Sequence, residues 1–252
     1  MEKCEEIQMQ IRKTGITIVA MTIVCAVFCL PVSAYEYSMT SVTAYNDGAT
    51  YPMLPYRSEM RSTLSTWLTG TPGWTERFYE SNGWVDDTDF GTTGQGLNLA
   101  ELHYHYGHGG NDGSHSYLPY VYWPTTSLYP SEVFKKWDSV NKWVIMDACS
   151  LLSDLDWGSA LKYSHGILGF TTEKTPSTDL PYRFLQNTID NDHTIAYAWQ
   201  RATQDTYGST VTARVIFDTD DQLDNDHLSG QGTVAANEYP DDNVKYISTW
   251  TC

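Results

Sequence analysis

Two residues have the types and spacing for nucleophilic catalysis: His108 and Cys149, 41 positions apart. His108 closes the stretch Leu97 to Gly110, which reads Leu-Asn-Leu-Ala-Glu-Leu-His-Tyr-His-Tyr-Gly-His-Gly-Gly. Cys149 closes Trp143 to Ser150, which reads Trp-Val-Ile-Met-Asp-Ala-Cys-Ser. A thiol becomes a strong nucleophile when an adjacent imidazole takes its proton or pairs with its thiolate. Gly109 follows the histidine, lets the chain turn and bares an N–H that can steady an oxyanion. Together, His108 as base, Cys149 as nucleophile and the Gly109 amide amount to acyl-transfer chemistry.

That chemistry needs both residues at one place. Each closes an apolar run of strand length, and their separation is about that of one strand-helix-strand crossover. Parallel strands would put both ends on one sheet edge. Around them, the spacing predicts helices at Ser58–Leu68, Ser131–Trp137, Leu151–Tyr163, Leu180–Asp190 and Thr194–Asp205. The Ser131 helix would start after a capping-box-like Ser-Glu pair. Strands are expected at Glu76–Val85, His165–Thr171 and Thr210–Phe217, and the tail beyond Asp218 reads as an acidic loop. Strands separated by helices imply an α/β domain with a mostly parallel sheet.

Residues 1–34 read as an export signal: Arg12 and Lys13, an apolar run from Gly15 to Leu30, then Val32-Ser33-Ala34. The run is short of the roughly 20 residues a membrane span needs, so no stable membrane insertion is expected after cleavage. Residues 35–252 are then one secreted or cell-surface domain. All nine Trp and eighteen Tyr belong to that part. The formal charge of −16 disfavours nucleic acid and anionic lipid as partners. Of five cysteines, only Cys149 and Cys252 lie beyond the signal, and in an oxidising compartment they could form a disulfide instead of leaving a reactive thiol.

Two metal readings compete with the thiol. His103, His105 and His108 have the spacing of zinc ligands in metallo-hydrolases. Strand alternation, however, would turn His103 and His105 away from His108, and Gly107 stands where such enzymes carry an aspartate. Asp218, Asp220, Asp221, Asp224 and Asp226 could hold calcium, but they lack the turn glycine and closing Glu of an EF-hand loop. No cofactor is otherwise expected.

An apolar strand ending in His-Gly, followed about 40 residues later by an apolar strand ending in Asp-Ala-Cys, resembles the caspase-like cysteine peptidases: caspases, metacaspases, legumain, clostripain and gingipains. The resemblance covers about Leu97 to Phe217. It implies a three-layer caspase-like domain that cuts polypeptides, with His108 and Cys149 as the catalytic pair. It also implies an oxyanion hole made by the amides of Gly109 and Cys149. In caspases and metacaspases the residue two before the cysteine lines the specificity pocket. Asp147 holds that place here, which implies a preference for a basic residue before the cut. A closer likeness is to a domain family of unknown function in secreted archaeal and bacterial proteins. Gly169-Phe170-Thr171, Ala198-Trp199 and Asp226-His227-Leu228-Ser229-Gly230 carry that likeness. One departure stands out. Active caspase-like members place a glycine about two residues after the cysteine, where this chain reads Cys149-Ser150-Leu151-Leu152. A non-catalytic, extracellular binding or structural protein on the same fold is therefore the alternative.

Overall fold

The structure is a computed structural model that describes residues 35–70, 73–239 and 241–252. The expected signal, residues 1–34, lies outside the described residues. Among these, no helix is long and apolar enough to cross a membrane.

Three strands come first, β1 (Tyr35–Ser41), β2 (Trp74–Ser81) and β3 (Leu102–Tyr106), with helix α1 (Arg57–Gly70) between the first two. After β3 the chain makes three short strands, β4 (Gly110–Asn111), β5 (Ser116–Pro119) and β6 (Ser127–Leu128), which form a small sheet of their own. Next come β7 (Trp143–Asp147), β8 (Gly166–Phe170), helices α2 (Asp179–Ile189) and α3 (Ile195–Thr206), β9 (Thr212–Phe217), α4 (Asp220–Asn225) and β10 (Tyr246–Thr251). The main sheet has seven strands in the order β10-β9-β8-β7-β3-β1-β2. From β2 through β8 the pairings are parallel, and β9 is antiparallel to both of its neighbours. The fold is thus α/β with a mostly parallel sheet, as the sequence pattern implies.

Alternation along the strands separates two cores. Leu102, Tyr104, Trp143, Ile145, Leu168, Phe170 and Val215 pack with Leu64, Phe184 and Trp199 of the α1–α3 layer. Val144, Met146, Ile167 and Ile216 turn the other way, onto Phe90, Trp137 and Trp157. β7 and β8 are buried on both faces, which is why they read as continuous apolar runs.

The second face departs from expectation. Ser131–Trp137 is not a helix: only Pro130–Glu132 forms a 3-10 turn. The cap is real but sits two residues earlier, with the Tyr129 N–H donating to Glu132 Oε2 at 2.8 Å. Lys135 then adopts a left-handed φ of 51°, which ends any helix. Trp137 drops into the core, and its Nε1–H donates to the Phe90 carbonyl at 2.8 Å. Likewise Leu151–Tyr163 is two 3-10 turns, Leu151–Ser153 and Leu155–Ala160. The tail is not all loop. It holds α4, capped by Thr219 and Gln222, and the edge strand β10.

The tail is tied to the sheet at the edge remote from His108 and Cys149. Asp226 accepts from Trp143 Nε1 at 2.9 Å and pairs with His165 Nδ1 at 2.7 Å, both fully buried. The other nitrogen of His165 donates to Asn237 Oδ1 at 2.8 Å. A buried histidine with both nitrogens partnered locks the tail onto the sheet.

Candidate active site

Four neighbouring parallel strands, β1, β3, β7 and β8, end on the same edge, and the loop after each contributes to one site. Ligand sites in open α/β sheets form at this carboxyl edge. The β3–β7 register pairs Tyr106 with Asp147, so His108 and Cys149 each lie two residues past a matched pair. The Gly107 N–H reaches the Asp147 carbonyl at 3.4 Å and carries the ladder one step beyond the strands.

Gly109 then packs directly on the backbone of Cys149. A Cβ there would collide with the Cys149 carbonyl oxygen and lie 3.1 Å from its carbon and 3.3 Å from its nitrogen. Only glycine allows this approach. Among the described residues, no hydrogen bond uses the N–H of Gly109 or of Cys149. An N–H without a hydrogen-bond partner is available to an incoming acceptor.

His108 is held from three sides. Its Nε2–H donates to the Pro52 carbonyl at 2.8 Å, which leaves Nδ1 as the nitrogen free to accept a proton. Its backbone N–H donates to the Tyr45 hydroxyl at 2.9 Å, and that hydroxyl donates in turn to the Val42 carbonyl at 2.8 Å. The rings of Tyr45 and Tyr51 pack against the imidazole with centroids 5.2 and 5.3 Å away. Burial pushes the His108 pKa below its usual value, and the positive charge of Lys174 adds to the shift. The imidazole is therefore neutral at pH 7 and able to act as a base.

Cys149 is a free thiol, as is Cys252, so the alternative of a disulfide between them is not formed. Instead the sulfur meets the backbone of Lys174, in the loop after β8. The Lys174 N–H donates to Sγ at 3.4 Å, and the thiol lies 3.4 Å from the Lys174 carbonyl oxygen. After the cysteine, Ser150 takes the left-handed φ of 53°. The tight turn is made without glycine, at a cost of about 1–2 kcal/mol in backbone strain.

Asp147 is placed differently from expectation. Its side chain is 1 % exposed, and the Lys174 ammonium, 3 % exposed, lies 2.5 Å from Oδ1. The contact is a buried ion pair. Oδ2 accepts from the Tyr104 hydroxyl at 2.8 Å. The carboxylate expected to meet a substrate is thus occupied from within the chain.

The zinc alternative does not survive. His103 and His105 lie on the opposite face from Tyr104 and Tyr106, fully buried beside Phe90. Ser38 and Thr40 hydroxyls engage His103 at 2.8 and 3.1 Å, and Thr40 engages His105 at 2.9 Å. Burial pushes both imidazoles down to about 3, so they are neutral structural groups and do not converge with His108. The calcium ligands considered also scatter. Asp218 pairs with Lys245 at 2.6 Å, Asp226 with His165, and Asp220 and Asp221 open α4.

Tyr45, Pro52 and Lys174 were not identifiable from sequence. Pro52 acts through a main-chain carbonyl, which leaves no mark on residue type. Lys174 is a single cation in a Thr- and Pro-containing loop.

Comparison with known proteins adds two findings. A search of curated proteins finds no match. Among solved structures, the chain is similar to the crystal structure of the Drosophila initiator caspase Dronc. The two share 11 % identity at a TM-score of 0.48, over 85 % of each chain. The profile of DUF6345, a domain of unknown function, matches residues 39–250, and the chain belongs to that family.

Proposed function

We propose that this chain is an exported cysteine endopeptidase of the caspase-like type, in which His108 is the base and Cys149 the nucleophile. One observation carries the reading. Gly109 and Cys149 pack backbone to backbone at the carboxyl edge of β3 and β7, with the adjoining imidazole oriented by the Pro52 carbonyl. In this reading Nδ1 of His108 takes the thiol proton and later gives it to the leaving amine. The amides of Gly109 and Cys149 receive the negative charge that develops on the scissile carbonyl oxygen. Asp147 is the group that selects a basic residue before the cut. Export rests on the sequence of residues 1–34 and on the strongly acidic remainder.

The test uses residues 35–252 and fluorogenic peptides with Arg, Lys or a neutral residue before the reporter. Hydrolysis of the basic peptides that is lost in Cys149→Ala and reduced at least 100-fold in His108→Ala is the expected result, from the usual size of base catalysis. No hydrolysis and no alkylation of Cys149 by iodoacetamide would refute it. One observation favours a second reading, a non-catalytic binding protein on the same fold: Lys174 covers the thiol.

A further inference from the structure

Lys174 meets the site at both its backbone and its side chain. Its N–H and carbonyl oxygen each lie 3.4 Å from Cys149 Sγ, and its ammonium sits on Asp147. The ammonium also lies 5.1 Å from the Phe170 ring centroid and 5.9 Å from that of Tyr207, so aromatic faces complete its surroundings. From Glu173 through Pro176, Lys174 makes the polar contacts that tie this loop to the rest of the chain, among the described residues. Before it, Thr172 is anchored, its carbonyl accepting from Ser150 and its hydroxyl from the Thr212 N–H.

We propose that Lys174 is an internal stand-in for the basic residue of a substrate: it fills the Asp147 pocket while its backbone covers the Cys149 sulfur, and a substrate opens the site by exchanging its own Lys or Arg for it. The inference rests on the peptidase reading for the role of Asp147.

Sterics and charge both point to an exchange. Lys174 backbone atoms lie 3.4 Å from Sγ and cover one side of it, so a scissile carbonyl approaching from that side requires the loop to move. Lys174 leaves with it, and Asp147 would then be a buried carboxylate without a cation, which is strongly unfavourable. A neutral side chain entering the pocket does not relieve that; an ammonium or guanidinium does. Specificity then arises in the opening step, because only a cationic side chain replaces what the movement removes. Room for the movement exists, since Thr172 to Thr175 border a cleft of 660 Å³ shared with Tyr207, Gly208 and Val211.

The experiment measures iodoacetamide alkylation of Cys149 by peptide mapping, with Cys252 as internal reference, in residues 35–252. The probes are Nα-acetyl-arginine amide and its neutral counterpart, Nα-acetyl-norleucine amide. The arginine probe should speed alkylation of Cys149 at least fivefold relative to Cys252, and the norleucine probe should not. The double variant Asp147→Asn/Lys174→Met, which leaves no lone buried charge, should label fast without a probe; Lys174→Arg should stay slow. Equal labelling of the wild-type and double-variant proteins, or equal effects of the two probes, would overturn the proposal. Peptide hydrolysis separates it from the reading it rests on. Basic peptides cut by a protein whose labelling ignores the arginine probe would overturn the exchange alone. A probe-dependent thiol that cuts nothing would support the occupancy of the pocket and remove the peptidase.

Discussion

Gly109→Ala is the sharpest test of how the site is built. The added Cβ would run into the Cys149 carbonyl oxygen and stand 3.1 and 3.3 Å from the neighbouring carbon and nitrogen. All of these are backbone atoms, so no side chain can swing aside. The ends of β3 and β7 must part by roughly 1 Å to restore ordinary contact, and misplacement on that scale costs about 100-fold in rate where geometry is catalytic. Overpacking of this kind costs about 1–3 kcal/mol. At about 2–4 °C per kcal/mol for a chain of this size, the melting temperature should fall by roughly 2–12 °C. Differential scanning fluorimetry reads the stability, and Cys149 alkylation and peptide hydrolysis read the site. Gly48→Ala is the control, because a Cβ there meets nothing within 4 Å. Equal stability and equal Cys149 reactivity in the two variants would refute the packing of Gly109 on the cysteine.

Two further outcomes are expected. His103 and His105, held down to about 3 by burial, should stay neutral in a histidine-resolved NMR titration from pH 8 to 5. Their folded pKa lies below the unfolded value near 6.5. Stability from their neutral burial is therefore fully present above pH 6.5 and is lost as pH falls from there toward 3, by about 2 kcal/mol each at pH 5. A midpoint above pH 6 for either ring would refute their sealed placement. Ser150, at φ 53°, should accept glycine and reject a β-branched residue. Ser150→Gly should melt no lower than the parent and Ser150→Val at least about 2 °C lower, since left-handed strain is worst for branched side chains; the opposite order would show that the turn is not left-handed.

The placement of His108 and Cys149 just past neighbouring strand ends was legible because it is written in residue type and spacing. Apolar runs ending in His-Gly and Ala-Cys mark strand ends, and the β3–β7 register matches them residue for residue. Helices α1–α3 were legible from their apolar stripes. The second face was not. A cap at Glu132 is a true start signal, but the path of the chain beyond it depends on Lys135 turning left-handed and on Trp137 finding the Phe90 carbonyl, both tertiary outcomes. In the tail, the Thr219–Gln222 capping box and the aromatic and β-branched residues of Tyr246–Thr251 were available signals, obscured by the surrounding acidic residues. Lys174 and the Pro52 carbonyl carry no local signature, because their meaning lies in where other strands end.

β10 has one more consequence. It pairs along the full length of β9, whose Val215, Ile216 and Phe217 are buried. Without it, six residues with strong strand character would present an open row of amides and carbonyls, the template on which chains add to one another. β10 itself is mostly exposed and rich in Ser and Thr, so it caps that row with a polar rim. Its loss would therefore be felt first as self-association between copies, before any loss of the buried core beneath it.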